Sequence, residues 1–198
     1  QKELIYMTKE IDFYFDFISP YTYLAYKKIQ SLPTDIKINY KPVFLGGLHN
    51  LQGITAPAFI ESKLKHMMND CLLISKKNNF DFKWNSKFPI NSLNIMRGYF
   101  SIGSSNQAKY IETLFDAYWR DDLDISKEEI LIPLLEQCKI DKDIFFKTIK
   151  DPVIKARLID ATKNAHEKEV FGAPTFIVNN KIFWGQDRLE FALDEYNK

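Results

Sequence analysis

Ile11-Asp12-Phe13-Tyr14-Phe15-Asp16-Phe17 runs into Ser19-Pro20-Tyr21-Thr22 with a single residue between. The first run is aromatic and partly alternating, which predicts a buried strand. Ser19 then supplies a helix N-cap and Pro20 the first helical position, where a missing N–H costs nothing. The helix continues through Tyr23, Leu24, Ala25, Tyr26 and Ile29 and stops near Pro33. Ile36-Lys37-Ile38-Asn39-Tyr40 alternates again and reads as a second strand ending at Pro42. Two strands joined by a helix in so short a space make a βαβ unit with parallel strands.

Beyond it, from about 54 to 165, no strand is legible. Ala58–Asn78 has helical periodicity, with Phe59, Leu64, Met67, Met68, Cys71, Leu72 and Ile74 on or near one face. A loop carries Trp84 and Phe88-Pro89-Ile90-Asn91. Helices are expected over Leu93–Phe100, Ser105–Trp119, Asp143–Ile149 and Val153–Val170. Ser126-Lys127-Glu128-Glu129 has the form of a capping box that opens one more. Thr175–Val178, a turn at Asn179–Lys181 and Ile182–Trp184 read as an antiparallel hairpin, followed by a helix from near Asp187. The order is βαβ, helices, then αββα. It predicts an α/β protein with a thioredoxin-like core, 9–45 and 166–198, and a large all-helical insertion, 46–165. No repeat or low-complexity tract interrupts it.

The chain has 198 residues, 45% of them hydrophobic, enough for one domain with a large insertion. Its 16 Phe and 10 Tyr can fill a core and line a cleft. With 27 basic and 26 acidic residues the net charge is +1, which gives no electrostatic case for nucleic acid or an anionic membrane. No apolar run approaches the ~20 residues that span a bilayer. Cys71 and Cys138 have neither redox nor metal spacing and read as small buried hydrophobes, with a disulfide between them left open. His49, His66 and His166 show no metal spacing either. No signal peptide is read before the first strand, Met7 is a candidate initiator, and the cytosol is the default compartment.

Three short segments could carry chemistry. Ser19-Pro20-Tyr21-Thr22 has the X-Pro-Tyr-X layout of a thioredoxin-type redox centre with an oxygen in place of each sulfur. Plain capping explains Ser-Pro by itself. A helix N-terminus also favours an anion, and a hydroxyl donating to a thiolate adds roughly 1.5–3 kcal/mol. At 1.36 kcal/mol per unit this is about one to two pKa units, enough to bring a thiol from about 8.5 towards neutrality. Ser19 therefore suits a stabiliser of a borrowed thiolate. No Gly-x-Ser-x-Gly surrounds it, which argues against a hydrolase nucleophile. Ala173-Pro174, in Phe171-Gly172-Ala173-Pro174-Thr175, reads either as a cis-proline that leaves Ala173's backbone free to pair with an extended ligand, or as a turn before an edge strand. Trp184-Gly185-Gln186-Asp187-Arg188 reads either as a cap completed by Glu190 or as a seat for an amino-acid head group, with N–H groups for its carboxylate and Asp187 for its ammonium.

Taken together these segments resemble the 2-hydroxychromene-2-carboxylate isomerase family and the related kappa-class glutathione transferases. The resemblance lies in Phe15 to Ala25, Phe88 to Leu93 followed by Met96-Arg97, Ala117-Tyr118-Trp119 with Asp124-Ile125-Ser126, and Val170 to Leu189, in that order over nearly the whole chain. It implies bound glutathione. Ser19 would hold the thiolate, Ala173 before a cis-Pro174 would pair the cysteinyl backbone, and Trp184, Gly185, Gln186 and Asp187 would take the γ-glutamyl end. The reaction implied is reversible conjugate addition to an unsaturated ring-opened pyruvate, rotation about the former double bond and loss of the thiolate, with the protein orienting both partners. Asn91 and Ser92 fall where family members meet substrate, Tyr21 lies beside the thiolate seat, and Lys63 matches a lysine of the first inserted helix. A homodimer is also implied.

One segment departs from the family pattern. Gly46–Ile54 aligns with a loop that usually carries a lysine and an asparagine. His49 or Asn50 stands in for the lysine and Ile54 for the asparagine, so charge for a substrate carboxylate is lost there. Three functions remain in view: a glutathione-dependent isomerase, a kappa-like transferase that conjugates electrophiles irreversibly, and a thioredoxin-like binding module without catalysis. A redox role has no cysteine to perform it.

Overall fold

In a computed structural model of the chain, residues 9–198 are described, so Met7 lies outside the described residues. Strand β1 (Ile11–Phe15), helix α1 (Pro20–Ile29) and strand β2 (Ile38–Pro42) form the expected βαβ unit. Helices α2 (Leu45–Gln52), α3 (Glu61–Asn78), α4 (Leu93–Ser101), α5 (Ser104–Trp119), α6 (Glu128–Gln137), α7 (Lys142–Thr148) and α8 (Pro152–Glu167) follow. Strands β3 (Thr175–Val178) and β4 (Lys181–Trp184) and helix α9 (Leu189–Tyr196) complete the chain. The sheet has the order β2-β1-β3-β4. β1 and β2 are parallel with Phe13 opposite Tyr40, and β3 is antiparallel to β1 with Phe176 opposite Phe13. β4 pairs antiparallel to β3. This is the thioredoxin-like α/β fold with its helical insertion.

Alternation along β1 sorts the layers. Phe13 and Phe15 face a core shared with Leu24 and Tyr26 of α1, Phe115 and Trp119 of α5, Phe176 and Ala192. Tyr14 points the other way, into a smaller cluster with Leu48 of α2, Ala165 of α8 and Val170. Phe17 and Phe115 meet edge to face at 4.9 Å. The Trp119 indole N–H donates to the Phe17 carbonyl at 2.8 Å, which pins the inserted helices to the chain two residues before Ser19.

The structure corrects four local readings. β1 stops at Phe15, not Phe17, because the Asp16 carboxylate accepts from the Ile18 N–H at 3.1 Å and turns the chain. The supposed loop at 46–54 is mostly helix α2. Its N-cap position is Phe44, which cannot cap, and a distant carboxylate supplies the partner instead: Asp16 Oδ2 accepts from the Leu45 N–H at 2.9 Å. Gly53, at φ 67°, ends it in the left-handed conformation glycine favours. The capping box at Ser126 does not form, because Asp124 takes both its N–H and its hydroxyl, and α6 starts at Glu128 without a side-chain cap. On α3, Cys71 and Ser75 are buried while Leu72 and Leu73 are exposed, and Phe59 precedes the helix. That helix packs on α1 and on the short turn Pro57–Phe59 before it, and its second apolar row stays outside. Cys71 and Cys138 are both buried and free. No helix among the described residues is long and apolar enough to cross a membrane.

Candidate active site

Ser19 is the N-cap of α1, and its Oγ accepts from the Thr22 N–H at 3.1 Å. The same hydroxyl donates to the Ala173 carbonyl at 3.1 Å. The Ala173–Pro174 peptide is cis. The Pro174 carbonyl in turn accepts from the Gly185 N–H at 3.0 Å. Two hydrogen bonds thus bring together three segments that lie far apart in sequence. Among the described residues, neither the Tyr21 nor the Ala173 N–H has a protein acceptor. Both flank the Ser19 hydroxyl, one by sequence and one by contact. Thr22, where a redox centre has its second sulfur, is fully buried, and its hydroxyl has no partner among the described residues.

The 184–188 segment forms a lip beside Ala173. The Trp184 indole is half exposed and packs on Phe171, ring centres 5.0 Å apart, and against Gly172. Gly185 has φ 113°, and a side chain there would stand 2.7 Å from the Asp187 carboxylate. Asp187 is exposed and paired with Arg188 at 2.8 Å. Neither it nor Glu190 caps α9, because a short 3-10 turn, Gln186–Arg188, precedes that helix. Gln186 is buried, and Lys28 of α1 donates to its side-chain oxygen at 2.6 Å and its carbonyl at 3.3 Å. Lys28, whose pKa burial lowers, is a residue that sequence reasoning missed.

Asp16 is the other. It is fully buried three residues before Ser19. It accepts from Ile18, from Leu45 at the start of α2, and from the Ser92 hydroxyl at 3.1 Å just before α4. Burial pushes its carboxyl up to about 6 against these bonds. The one sequence signal was a carboxylate set between two phenylalanines at the end of a buried strand.

A family profile described as DSBA-like thioredoxin domain matches residues 10–197. The chain belongs to that family. Within it the chain belongs with the 2-hydroxychromene-2-carboxylate isomerases. The Sphingobium xenophagum protein of that name is 31% identical over 194 residues, covering 96% of this chain and 98% of its own. A solved structure of 2-hydroxychromene-2-carboxylate isomerase superposes with a TM-score of 0.86 at 25% identity, covering 94% of each chain. Glutathione S-transferase kappa 1 of Caenorhabditis elegans is 44% identical over a shorter stretch, 63 residues, or 30% of this chain and 28% of its own.

This member of the DSBA-like family holds its other sequence-predicted residues at varying remove from Ser19. Tyr21 donates to Asp70 of α3 at 2.7 Å, and burial together with that carboxylate pushes its phenol well up. Ser92 is buried with its hydroxyl spent on Asp16. Asn91 is exposed, and its side-chain oxygen accepts from the Leu93 N–H at 3.0 Å at the start of α4. His49 is half-buried on α2, and burial lowers its pKa. Lys63 is exposed on the first turns of α3. Asn50 and Ile54 are exposed at the C-terminal end of α2 and just beyond it.

Proposed function

We propose that the protein is a glutathione-dependent cis-trans isomerase of the 2-hydroxychromene-2-carboxylate type. The observation that carries this reading is the Ser19 hydroxyl at the N-terminus of α1, 3.1 Å from the Ala173 carbonyl and flanked by two N–H groups without acceptors among the described residues. These groups fit glutathione. The Ala173 N–H is placed for a peptide carbonyl, the Tyr21 N–H and the helix dipole favour an anion, and the Gly185–Asp187 turn suits an amino-acid end. Glutathione would supply a thiolate able to add reversibly to a conjugated double bond and leave again, so that the substrate is isomerised with no net gain or loss of atoms.

The protein's part is to stabilise and orient. For Ser19 to donate to a sulfur its single proton must leave the Ala173 carbonyl. A charged hydrogen bond of roughly 1.5–3 kcal/mol then replaces a neutral one of roughly 0.5–1.5 kcal/mol. The net gain of about 1 kcal/mol lowers a thiol pKa by about one unit. For the substrate's carboxylate the candidates are His49, whose pKa burial lowers, and Lys63. Tyr21 and Ser92 hold the walls of the site through Asp70 and Asp16. Two buried free thiols suit a reducing compartment, and we place the protein in the cytoplasm.

The test is direct. Glutathione should raise the melting temperature, and a 2-hydroxychromene-2-carboxylate should isomerise only when glutathione is present. A protein that binds glutathione yet turns over no chromene carboxylate loses the isomerase assignment. The stretch similar to the kappa transferase supports a second reading, irreversible conjugation, in which glutathione is consumed in proportion to product.

A further inference from the structure

The sheet ends at β2, and a cavity of about 410 Å³ lies at that edge, walled by the last turns of α4 and α8. It stands apart from the Ser19 cluster. β1 separates β2 from β3, so the open edge and the strand that follows Pro174 are two strand spacings, about 10 Å, apart. Ser92 marks the near end of α4, and Tyr99 and Phe100 lie about 10 Å farther along it. Tyr14 reaches the cavity on the sheet face opposite Phe13 and Phe15.

The phenols of Tyr14, Tyr40 and Tyr99 line it. Tyr14 and Tyr99 are only 4% and 8% exposed. Among the described residues none of the three hydroxyls has a hydrogen-bond partner, and none is sealed off from the cavity. Burial pushes all three phenols up, Tyr14 and Tyr40 to about 12, so each keeps a proton to donate. Lys41, opposite Tyr14 in the strand register, and Lys168 add two cations, neither in a salt bridge among the described residues. Along β2 the Lys37 carbonyl and the Val43 N–H bond to β1, so Tyr40 turns its backbone N–H and carbonyl to the open edge.

The balance of donors and acceptors chooses the occupant. Three phenols, two ammonium groups and the Tyr40 N–H are more donors than a carboxylate's roughly four lone-pair sites can take. A phosphate monoester has three terminal oxygens, and lysines with no arginine fork beside them suit it. The cavity is larger than a phosphate group, within the roughly 300–1,000 Å³ of small-molecule sites. The rest of its wall offers acceptors: the Glu167 carboxylate, the Asn164 side-chain oxygen and the Tyr40 carbonyl. Acceptors call for hydroxyl groups on the ligand's body, and the small side chains of Pro42, Ala161 and Ala165 leave room for a ring. We propose that this cavity binds a sugar phosphate, its phosphate on Lys41, Lys168 and the three phenols and its hydroxyls on Glu167, Asn164 and Tyr40. None of these residues belongs to the Ser19, Ala173 and Gly185 cluster, so the proposal is independent of the isomerase reading.

The probes are glucose 6-phosphate and ribose 5-phosphate, titrated calorimetrically into the full chain, with glucose, ribose and inorganic phosphate as their separate halves. At least one ester should bind tenfold or more tighter than either of its halves, with and without saturating glutathione. Tyr14→Phe/Tyr99→Phe keeps the rings, removes two hydroxyls and should weaken that ester several-fold, with the melting temperature nearly unchanged. Should that variant fold poorly, the surface double variant Lys41→Gln/Lys168→Gln should weaken it tenfold or more, and Ala161→Phe should fill the cavity and abolish binding. Ser19→Ala should leave the affinity unchanged. Binding of neither ester, inorganic phosphate binding as tightly as the esters, displacement by glutathione, or full affinity in the lysine variant would each overturn the assignment.

Discussion

The Ser19 hydroxyl donates to the Ala173 carbonyl across 154 residues of chain, at 3.1 Å, while accepting from Thr22. One side chain therefore caps α1 and fastens the Ala173–Pro174 turn to it. Replacing Ser19 by Ala removes a cap worth about 1 kcal/mol and leaves the Ala173 carbonyl without its donor, so stability should fall by about 1–2 kcal/mol. Urea denaturation measures that loss. Thiolate absorbance, read as a pH titration, should show bound glutathione's pKa rising by about one unit in the variant. An unchanged thiol pKa would mean that Ser19 is a cap and nothing more.

Asp16 sets a pH dependence of stability. Its folded pKa, about 6, lies above the ordinary 3.8 because it is fully buried. Between those values the folded state holds a proton that the unfolded chain releases. The protonated form's advantage is therefore complete below pH 3.8 and is lost as pH rises through about 6. A shift of about two units corresponds to roughly 3 kcal/mol. Ser92 tolerates both states, since its hydroxyl can donate to the carboxylate or accept from the carboxylic acid. Comparing urea midpoints at pH 4 and pH 7, the wild-type protein should lose stability relative to Asp16→Asn as the pH rises. Parallel profiles for the two proteins would exclude Asp16 as the titrating group.

The parts of this fold and site that were legible in sequence rest on local signals. Ser19-Pro20, the hairpin around Asn179–Lys181 and the periodic inserted helices each carry their own stop or start. What was not legible rests on partners distant in sequence. The N-cap position of α2 is Phe44, and its acceptor, Asp16, stands 29 residues away from Leu45. Ser92 was singled out through the family resemblance, but its link to Asp16, which spans 76 residues, was not legible. The Ser126 pattern misled for the opposite reason: Asp124, two residues away, competes for the same donors. Lys28 looked like any basic residue in a last helical turn until the fold brought Gln186 to it.

Lys28 gives a prediction that separates positioning from folding. Its ammonium holds both oxygens of Gln186, next to Asp187. Lys28→Met keeps the aliphatic stem against α1 and removes the two bonds. Glutathione affinity should drop about five- to tenfold, the equivalent of roughly 1 kcal/mol, with the melting temperature of the ligand-free protein nearly unchanged. A large fall in melting temperature with intact affinity would make Lys28 a structural residue only.

Gly185 and Gly53 form a matched pair, because both have positive φ, 113° and 67°. A side chain at Gly53 meets nothing within 4 Å, so Gly53→Ala bears only the backbone cost, about 1–2 kcal/mol. At Gly185 the added methyl would stand 2.7 Å from Asp187 Oδ1, and the carboxylate must move. Gly185→Ala should therefore cost at least as much stability and also weaken glutathione about as far as Asp187→Ala does. Gly53→Ala should leave glutathione binding alone. Calorimetric titration of the three variants decides it. If Gly185→Ala and Gly53→Ala bind glutathione equally well, the Gly185–Asp187 turn takes no part in holding it, and the γ-glutamyl end must be seated elsewhere.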